Sequence, residues 1–148
     1  NNWLGNEVQV IWQTGQAHFG EYKHLASDGC VIAPFFDSMA DVYASSDLVV
    51  SRAGATALAE LALLGKALVA VPSPNVAENH QYHNAKSLSD GGAAVMIEDK
   101  SIEKELAQTV LEIIQNESRL RELKENIQRF AKPEAAKKIA ESAIRIAL

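Results

Sequence analysis

The chain has 148 residues, 47% hydrophobic and 22% charged, with a net charge of −5. That is enough for one compact domain with its own core, in the balance of a soluble globular protein. Its basic residues are scattered and fall mostly late in the chain, with no basic stripe interleaved with aromatics, so nucleic acid is excluded as the expected partner. No signal peptide is visible and no apolar run reaches the roughly 20 residues that span a bilayer; the longest candidate, 58–71, is broken by Glu60 and Lys66. The one cysteine, Cys30, cannot form an internal disulfide and is expected as a buried structural thiol in a reducing cytoplasm.

Short apolar runs alternate with helical patterns, the mark of βαβ units and a parallel sheet. Val8 to Trp12 is a predicted strand closed by Thr14-Gly15, followed by a short helix over 17–25 that carries His18 and His24 on its surface. A second strand is predicted at Val31 to Phe36. Ser38 opens a short helix with Asp41 three residues on, a capping-box pattern. Leu48-Val-Val-Ser51 is a third strand, β-branched and expected to be buried on both faces. A helix over 55–64 ends at Gly65, a plausible left-handed cap, and a fourth strand runs from Ala67 to Val71. After Pro72-Ser-Pro74 a polar loop leads to a helix near 81–89, closed by Gly91-Gly92, and Ala94 to Ile97 is a fifth strand. Ser101 caps a long helix to about Gln115, a second helix spans 119–131, and Pro133 restarts a third that continues to the end. Trp3 and Trp12 are expected in the core or at an edge. The chain does not begin with Met and lacks the strand, glycine loop and helix that open a doubly wound domain, so a fragment of a longer protein is expected.

In open α/β sheets, ligands bind beyond the carboxyl ends of the strands. Ser51-Arg-Ala-Gly-Ala-Thr-Ala-Leu-Ala-Glu60 lies at such an end. Gly54 and its small neighbours Ala53 and Ala55 let a ligand approach the backbone, and the helix start offers N–H groups and a positive dipole end to an anion such as phosphate. Thr56 and Glu60 are four apart on one helix face, and a carboxylate there can accept both hydroxyls of a ribose. A glycine for tight strand–helix packing with a merely solvated Glu60 explains the same residues equally well, because the stronger phosphate-loop spacings are absent. The second anomaly is the long loop 72–84, where Asn79, His80, Gln81, His83 and Asn84 crowd amide and imidazole groups suited to sugar hydroxyls. Capping by Asn79 above a polar surface is the plainer alternative, and two histidines without further ligands are a weak case for a metal.

Taken together these stretches resemble the MurG family of bacterial UDP-N-acetylglucosamine (UDP-GlcNAc) transferases. The resemblance rests on Phe35-Phe-Asp-Ser-Met39, Asp47-Leu-Val-Val-Ser-Arg-Ala-Gly-Ala-Thr56, Ala59-Glu60, Gly65-Lys66, Pro72-Ser-Pro-Asn-Val-Ala-Glu-Asn-His-Gln81 and Asn84-Ala85. It runs from about Val8 to Ile97 and more loosely through the last helices. The Arg-x-Gly-Ala…Glu block marks a wider donor-binding class, whereas the Pro-Ser-Pro-Asn-Val-Ala…His-Gln block is much more specific.

The resemblance implies an α/β, Rossmann-like parallel sheet flanked by helices, the C-terminal half of a GT-B glycosyltransferase. Residues 1–132 would form most of the UDP-GlcNAc-binding domain, and 133–148 its terminal helix, packing toward an N-terminal domain that binds the lipid acceptor. It further implies that the Phe36 backbone bonds uracil and that Gly54, Ala55, Thr56 and Ala57 receive the diphosphate. Glu60 would take the ribose, and His80 and Gln81 the GlcNAc. His80 stands where the family often has glutamine, and Thr56-Ala57 where it commonly has Leu-Thr. The implied chemistry is inverting transfer of GlcNAc to undecaprenyl-diphospho-MurNAc-pentapeptide (lipid I), giving lipid II for peptidoglycan. No cofactor and no protein-bound metal is expected, and the general base is expected in the N-terminal domain, so the chain by itself would be inactive. The full-length protein would sit on the cytoplasmic face of the bacterial plasma membrane as a peripheral protein. Alternatives are the donor-binding subunit of a split glycosyltransferase, another GT-B protein such as a UDP-GlcNAc 2-epimerase or a glycolipid synthase, and an NAD-binding domain. The last is disfavoured by the missing dinucleotide loop.

Overall fold

The computed structural model describes residues 8–147. The expectation for Trp3 lies outside them. The chain divides between Ser46 and Asp47 into two compact units, each built on parallel strands flanked by helices.

In the first unit β1 (Val10–Gln13) pairs in parallel with β2 (Cys30–Ala33), Val10 opposite Cys30 and Gln13 opposite Ala33. Between them run α1 (Gln16–Tyr22) and a 3₁₀ turn, Lys23–Leu25. The predicted second strand stops short of Phe36 because Pro34 has no N–H to continue the ladder. Trp12 is exposed and lies against Tyr22, ring centroids 4.8 Å apart. Cys30 is half-buried rather than buried, since it opens β2 beside a tight reversal in which Ser27 and Cys30 exchange backbone hydrogen bonds. His18 and His24 are exposed as expected. α2 (Met39–Ala44) begins with the Ser38 hydroxyl accepting from the Asp41 N–H at 3.3 Å, the hydroxyl half of the capping box.

The second unit holds a three-stranded sheet in the order β3 (Leu48–Ser51), β4 (Ala67–Ala70), β5 (Val95–Met96), all parallel. β4 is central and every residue in it is fully buried. Ala67, Val69 and Val71 point to one face, where Ile97 and Ile113 and Leu123 from two later helices complete a cluster. Those helices are α5 (Ile102–Ile114) and α6 (Glu117–Gln128). Leu68 and Ala70 alternate to the other face. β3 is not fully buried: among the described residues of this unit it pairs with β4, and Val50 is 45% exposed. α5 follows Ser101 without a side-chain cap, whereas α6 starts two residues earlier than expected because the Asn116 side chain accepts from the Arg119 N–H at 2.9 Å.

α3 (Ala55–Leu64) occupies the residues expected of it. Its end is decided at Gly65, φ +62°, where the Gly65 and Lys66 N–H groups turn back onto the carbonyls of Ala62 and Leu61. A side chain at Gly65 would also collide with Gln128 of α6. α4 (His80–Asp90) buries Ala85 and Leu88, and α7 (Ala135–Ala147) is exposed along its described length. No helix among the described residues is long and apolar enough to cross a membrane.

Candidate functional site

The register of the sheet levels the carboxyl ends of its strands. The Val71 N–H donates to the Ser51 carbonyl at 2.9 Å and the Ile97 N–H to the Ala70 carbonyl at 3.0 Å, so the loops leaving β3, β4 and β5 start side by side. All of the candidate residues except Phe36 fall on these loops or on the helices they feed.

At the β3 end, Gly54 is the residue before α3, in extended conformation at φ −72°, ψ 139°, and no side chain caps the helix. The first intrahelical bond is Leu58 N–H to Gly54 carbonyl at 3.0 Å. The N–H groups of Ala55, Thr56 and Ala57 therefore have no partner among the described residues, and Ala55 and Thr56 are exposed. A Cβ built on Gly54 would meet nothing within 4 Å. Tight strand–helix packing is thus not the reason for this glycine, and the space beside it is open to a ligand. Thr56 and Glu60 are both exposed, one turn apart, and the Glu60 carboxylate has no hydrogen-bond or ion-pair partner among the described residues.

The loop after β4 is tied from within. Glu78 and Asn79 both take left-handed backbone conformations, φ +53° and +50°. Asn79 precedes α4 without a side-chain cap, so the plainer reading of the loop as a capping device is not realised at that residue. The His80 Nδ1 lies 2.9 Å from the Ala77 carbonyl. A carbonyl only accepts, so that nitrogen is the donor of the pair. Gln81 turns its Oε1 back to accept the Ser73 N–H at 2.9 Å, which leaves its NH₂ as the free end of the amide. Asn84 donates to the Ala53 carbonyl at 3.1 Å and so fastens α4 to the residue before Gly54.

Two features of the site were not foreseen. Arg52 forms an ion pair with Asp99 at the β5 end and reaches the Pro72 carbonyl at 3.5 Å. Beside this pair, a depression of about 370 Å³ is lined by Pro72, Ser73, Pro74, Asn79, Tyr82, Glu98, Asp99 and Lys100. Lys100 bonds Glu98 at 2.6 Å, and that hydrogen bond raises the lysine pKa above its ordinary value. His83 is exposed, edge-on to Tyr82 with ring centroids 6.0 Å apart. Among the described residues no group of three or more His, Cys, Asp and Glu side chains is placed to hold a metal ion. Phe36 belongs to the first unit, where its N–H donates to Gln13 Oε1 at 3.1 Å.

The loops thus bring together an uncapped helix start, a carboxylate one turn along and an oriented amide on the neighbouring loop. The family described as the glycosyltransferase family 28 C-terminal domain matches residues 1–139. The chain belongs to this family. A relative in Parabacteroides distasonis, the UDP-N-acetylglucosamine–N-acetylmuramyl-(pentapeptide) pyrophosphoryl-undecaprenol N-acetylglucosamine transferase, is 44% identical over 99% of this chain and 41% of its own length. The enzyme of the same name in Cytophaga hutchinsonii is 40% identical over 94% of the chain and 38% of its own length. The crystal structure of Acinetobacter baumannii MurG superimposes with a TM-score of 0.79 and 30% identity, covering 90% of this chain and 42% of that one. A glycotransferase of kitacinnamycin shares the fold at a TM-score of 0.66 and 18% identity. This family 28 domain therefore spans about two-fifths of the length of the curated relatives it matches.

Proposed function

We propose that this family 28 domain is the UDP-GlcNAc-binding part of an inverting transferase that passes GlcNAc to lipid I, forming lipid II at the cytoplasmic face of the plasma membrane. The observation that carries the reading is the open first turn of α3, Ala55–Ala57, with unpaired Glu60 one turn beyond. The names of the relatives supply the sugar and the acceptor. In the proposed reaction the acceptor's C4 hydroxyl attacks the anomeric carbon, the bond to UDP breaks on the opposite face, and the hydroxyl proton passes to a base in the remainder of the longer protein. Charge builds on the leaving diphosphate as that bond stretches. Fixed N–H donors and a helix dipole aimed at it favour the transition state over the ground state.

Gln81 supplies the sugar contact. With Oε1 held by Ser73, the amide can offer only N–H donors to a hydroxyl or to the acetamido carbonyl. Titration calorimetry of the full-length protein with UDP-GlcNAc and with UDP tests the proposal. Wild type is expected to bind both. Gln81→Glu keeps an acceptor for the Ser73 N–H but loses the donor, so it should weaken UDP-GlcNAc by about 3- to 10-fold, one neutral hydrogen bond, and leave UDP unchanged. No binding of UDP-GlcNAc by wild type would sink the proposal. Equal losses for both ligands would remove Gln81 from the sugar site.

We propose also that residues 1–132 form most of the donor-binding domain and that 133–148 is its terminal helix, packed toward the acceptor-binding domain. Supporting this, Ile139 and Ile146 of α7, seven residues apart and so on one helix face, are 70% and 87% exposed, an apolar stripe that a helix presents to a partner. In the full-length protein Ile139→Val should cost about 0.5–1.5 kcal/mol in denaturant unfolding, as at a packed site. A change indistinguishable from zero would leave the stripe in solvent and end this assignment.

A further inference from the structure

We infer that Arg52 is a positioning residue for donor-sugar recognition, acting through the peptide that joins Pro72 to Ser73 and held in place by Asp99; the inference rests on the donor-site reading above. The carbonyl of that peptide accepts from Arg52 Nη1 at 3.5 Å, and its N–H donates to Gln81 Oε1 at 2.9 Å. One peptide plane thus carries both bonds. Turning it would release Arg52 and Gln81 together, so a guanidinium fixed on the carbonyl side fixes the direction of the Gln81 amide on the other. The third anchor comes from the far side of the sheet, where Asp99 follows β5 and pairs with the same Nη1. Arg52 therefore spans the loops of β3, β4 and β5, and Asn84 adds a second tie from α4 to Ala53.

The magnitude of the ion pair supports a role in register over one in stability. The Arg52 and Asp99 side chains are 52% and 36% exposed, and pairs so placed contribute little to folding. Lost loop register reaches the ligand more directly, because the amide it disorients must meet a sugar hydroxyl within a few tenths of an ångström.

Arg52→Ala, Asp99→Ala and the double variant of the full-length protein, titrated with UDP and with UDP-GlcNAc, test the inference. The reading is the ratio of the two affinities, which a general loss of stability would not move selectively. Each single variant is expected to lower the preference for UDP-GlcNAc by about 3- to 10-fold with UDP affinity and thermal midpoint little changed, and the double variant to lose no more than either single one. Asp99→Asn, which keeps the shape of the side chain, should lose part of the preference and guards against a folding defect in Asp99→Ala. Wild-type preference in both Asp99 variants would overturn the inference, since Arg52 would then act without its anchor. Parallel loss of UDP and UDP-GlcNAc in Arg52→Ala would overturn it too, by making Arg52 a direct phosphate ligand. A wild type that binds neither ligand refutes the donor site itself, a different failure.

Discussion

Proline in place of Ala55 is expected to weaken UDP binding to the full-length protein by roughly 10- to 100-fold while leaving the fold as stable as before or slightly more so. Ala55 is the first residue of α3, where proline is well tolerated because the N–H it lacks has no intrahelical partner. The preceding Gly54 already has the extended conformation, ψ 139°, that a following proline requires, and the space around it is open. At compatible positions such a change restricts the unfolded chain and adds about 0.4–1 kcal/mol of stability. The ligand is expected to see the opposite effect, because one of the amides proposed to face the diphosphate is gone. A hydrogen bond to a charged group is worth about 1.5–3 kcal/mol, which gives the expected factor. The two signs make the test selective: a damaged fold would lower both stability and affinity. Calorimetric titration with UDP, beside urea unfolding, reads both. Unchanged UDP affinity with intact stability would show that no anion is held at the first amide of α3.

How much of this was legible in the sequence depends on whether the signal was local. β3 and α3 fall on the residues expected, Leu48–Ser51 and Ala55–Leu64, because a β-branched run and a left-handed Gly65 are decided within a few residues. The same holds for the open start of α3, which follows from the lack of any capping side chain at Gly54. Elsewhere local signals compete. Asn79 looks like a cap, but its left-handed backbone carries the chain into α4 without a side-chain bond to the helix; Asn116 does cap α6, from inside a polar run that gives it no distinction. The exposure of Val50 depends on what packs against β3 within its unit, which composition does not reveal. The ties across the site, Arg52 to Asp99, Gln81 to Ser73 and Asn84 to Ala53, join residues 47, 8 and 31 positions apart. The first and third exist because the order β3-β4-β5 sets the strand-end loops side by side, and the second because the loop after β4 folds back on itself. The types were visible, an arginine and an acid at two strand ends and amides on a long loop, but the pairing needed the topology.

Glu60 is expected to be the ribose clamp, and its removal to cost about 10- to 100-fold in UDP-GlcNAc affinity. The residue is exposed and unpaired among the described residues, so alanine there should change stability by no more than about 0.5 kcal/mol. Its position makes the sign of the binding effect informative. Glu60 is five residues beyond Ala55, about 7.5 Å along the helix axis, and a carboxylate at that distance from a diphosphate repels it. In water the repulsion is about 0.5 kcal/mol per pair of unit charges, and physiological salt, with a screening length near 8 Å, reduces it further. A merely solvated Glu60 would therefore give an alanine variant that binds UDP-GlcNAc as well as wild type, or slightly better. A clamp that accepts from both ribose hydroxyls opposes this with about 1.5–3 kcal/mol, and that term wins. The hydroxyls also set the control. Wild type should discriminate against 2′-deoxy-UDP-GlcNAc, and Glu60→Ala should discriminate less, because it no longer rewards the 2′ hydroxyl. Glu60→Gln should fall between, retaining one acceptor without the charge. Equal or improved affinity in Glu60→Ala, with discrimination against the deoxy donor intact, would assign Glu60 to solvent and leave the cradle at α3 to its backbone amides alone.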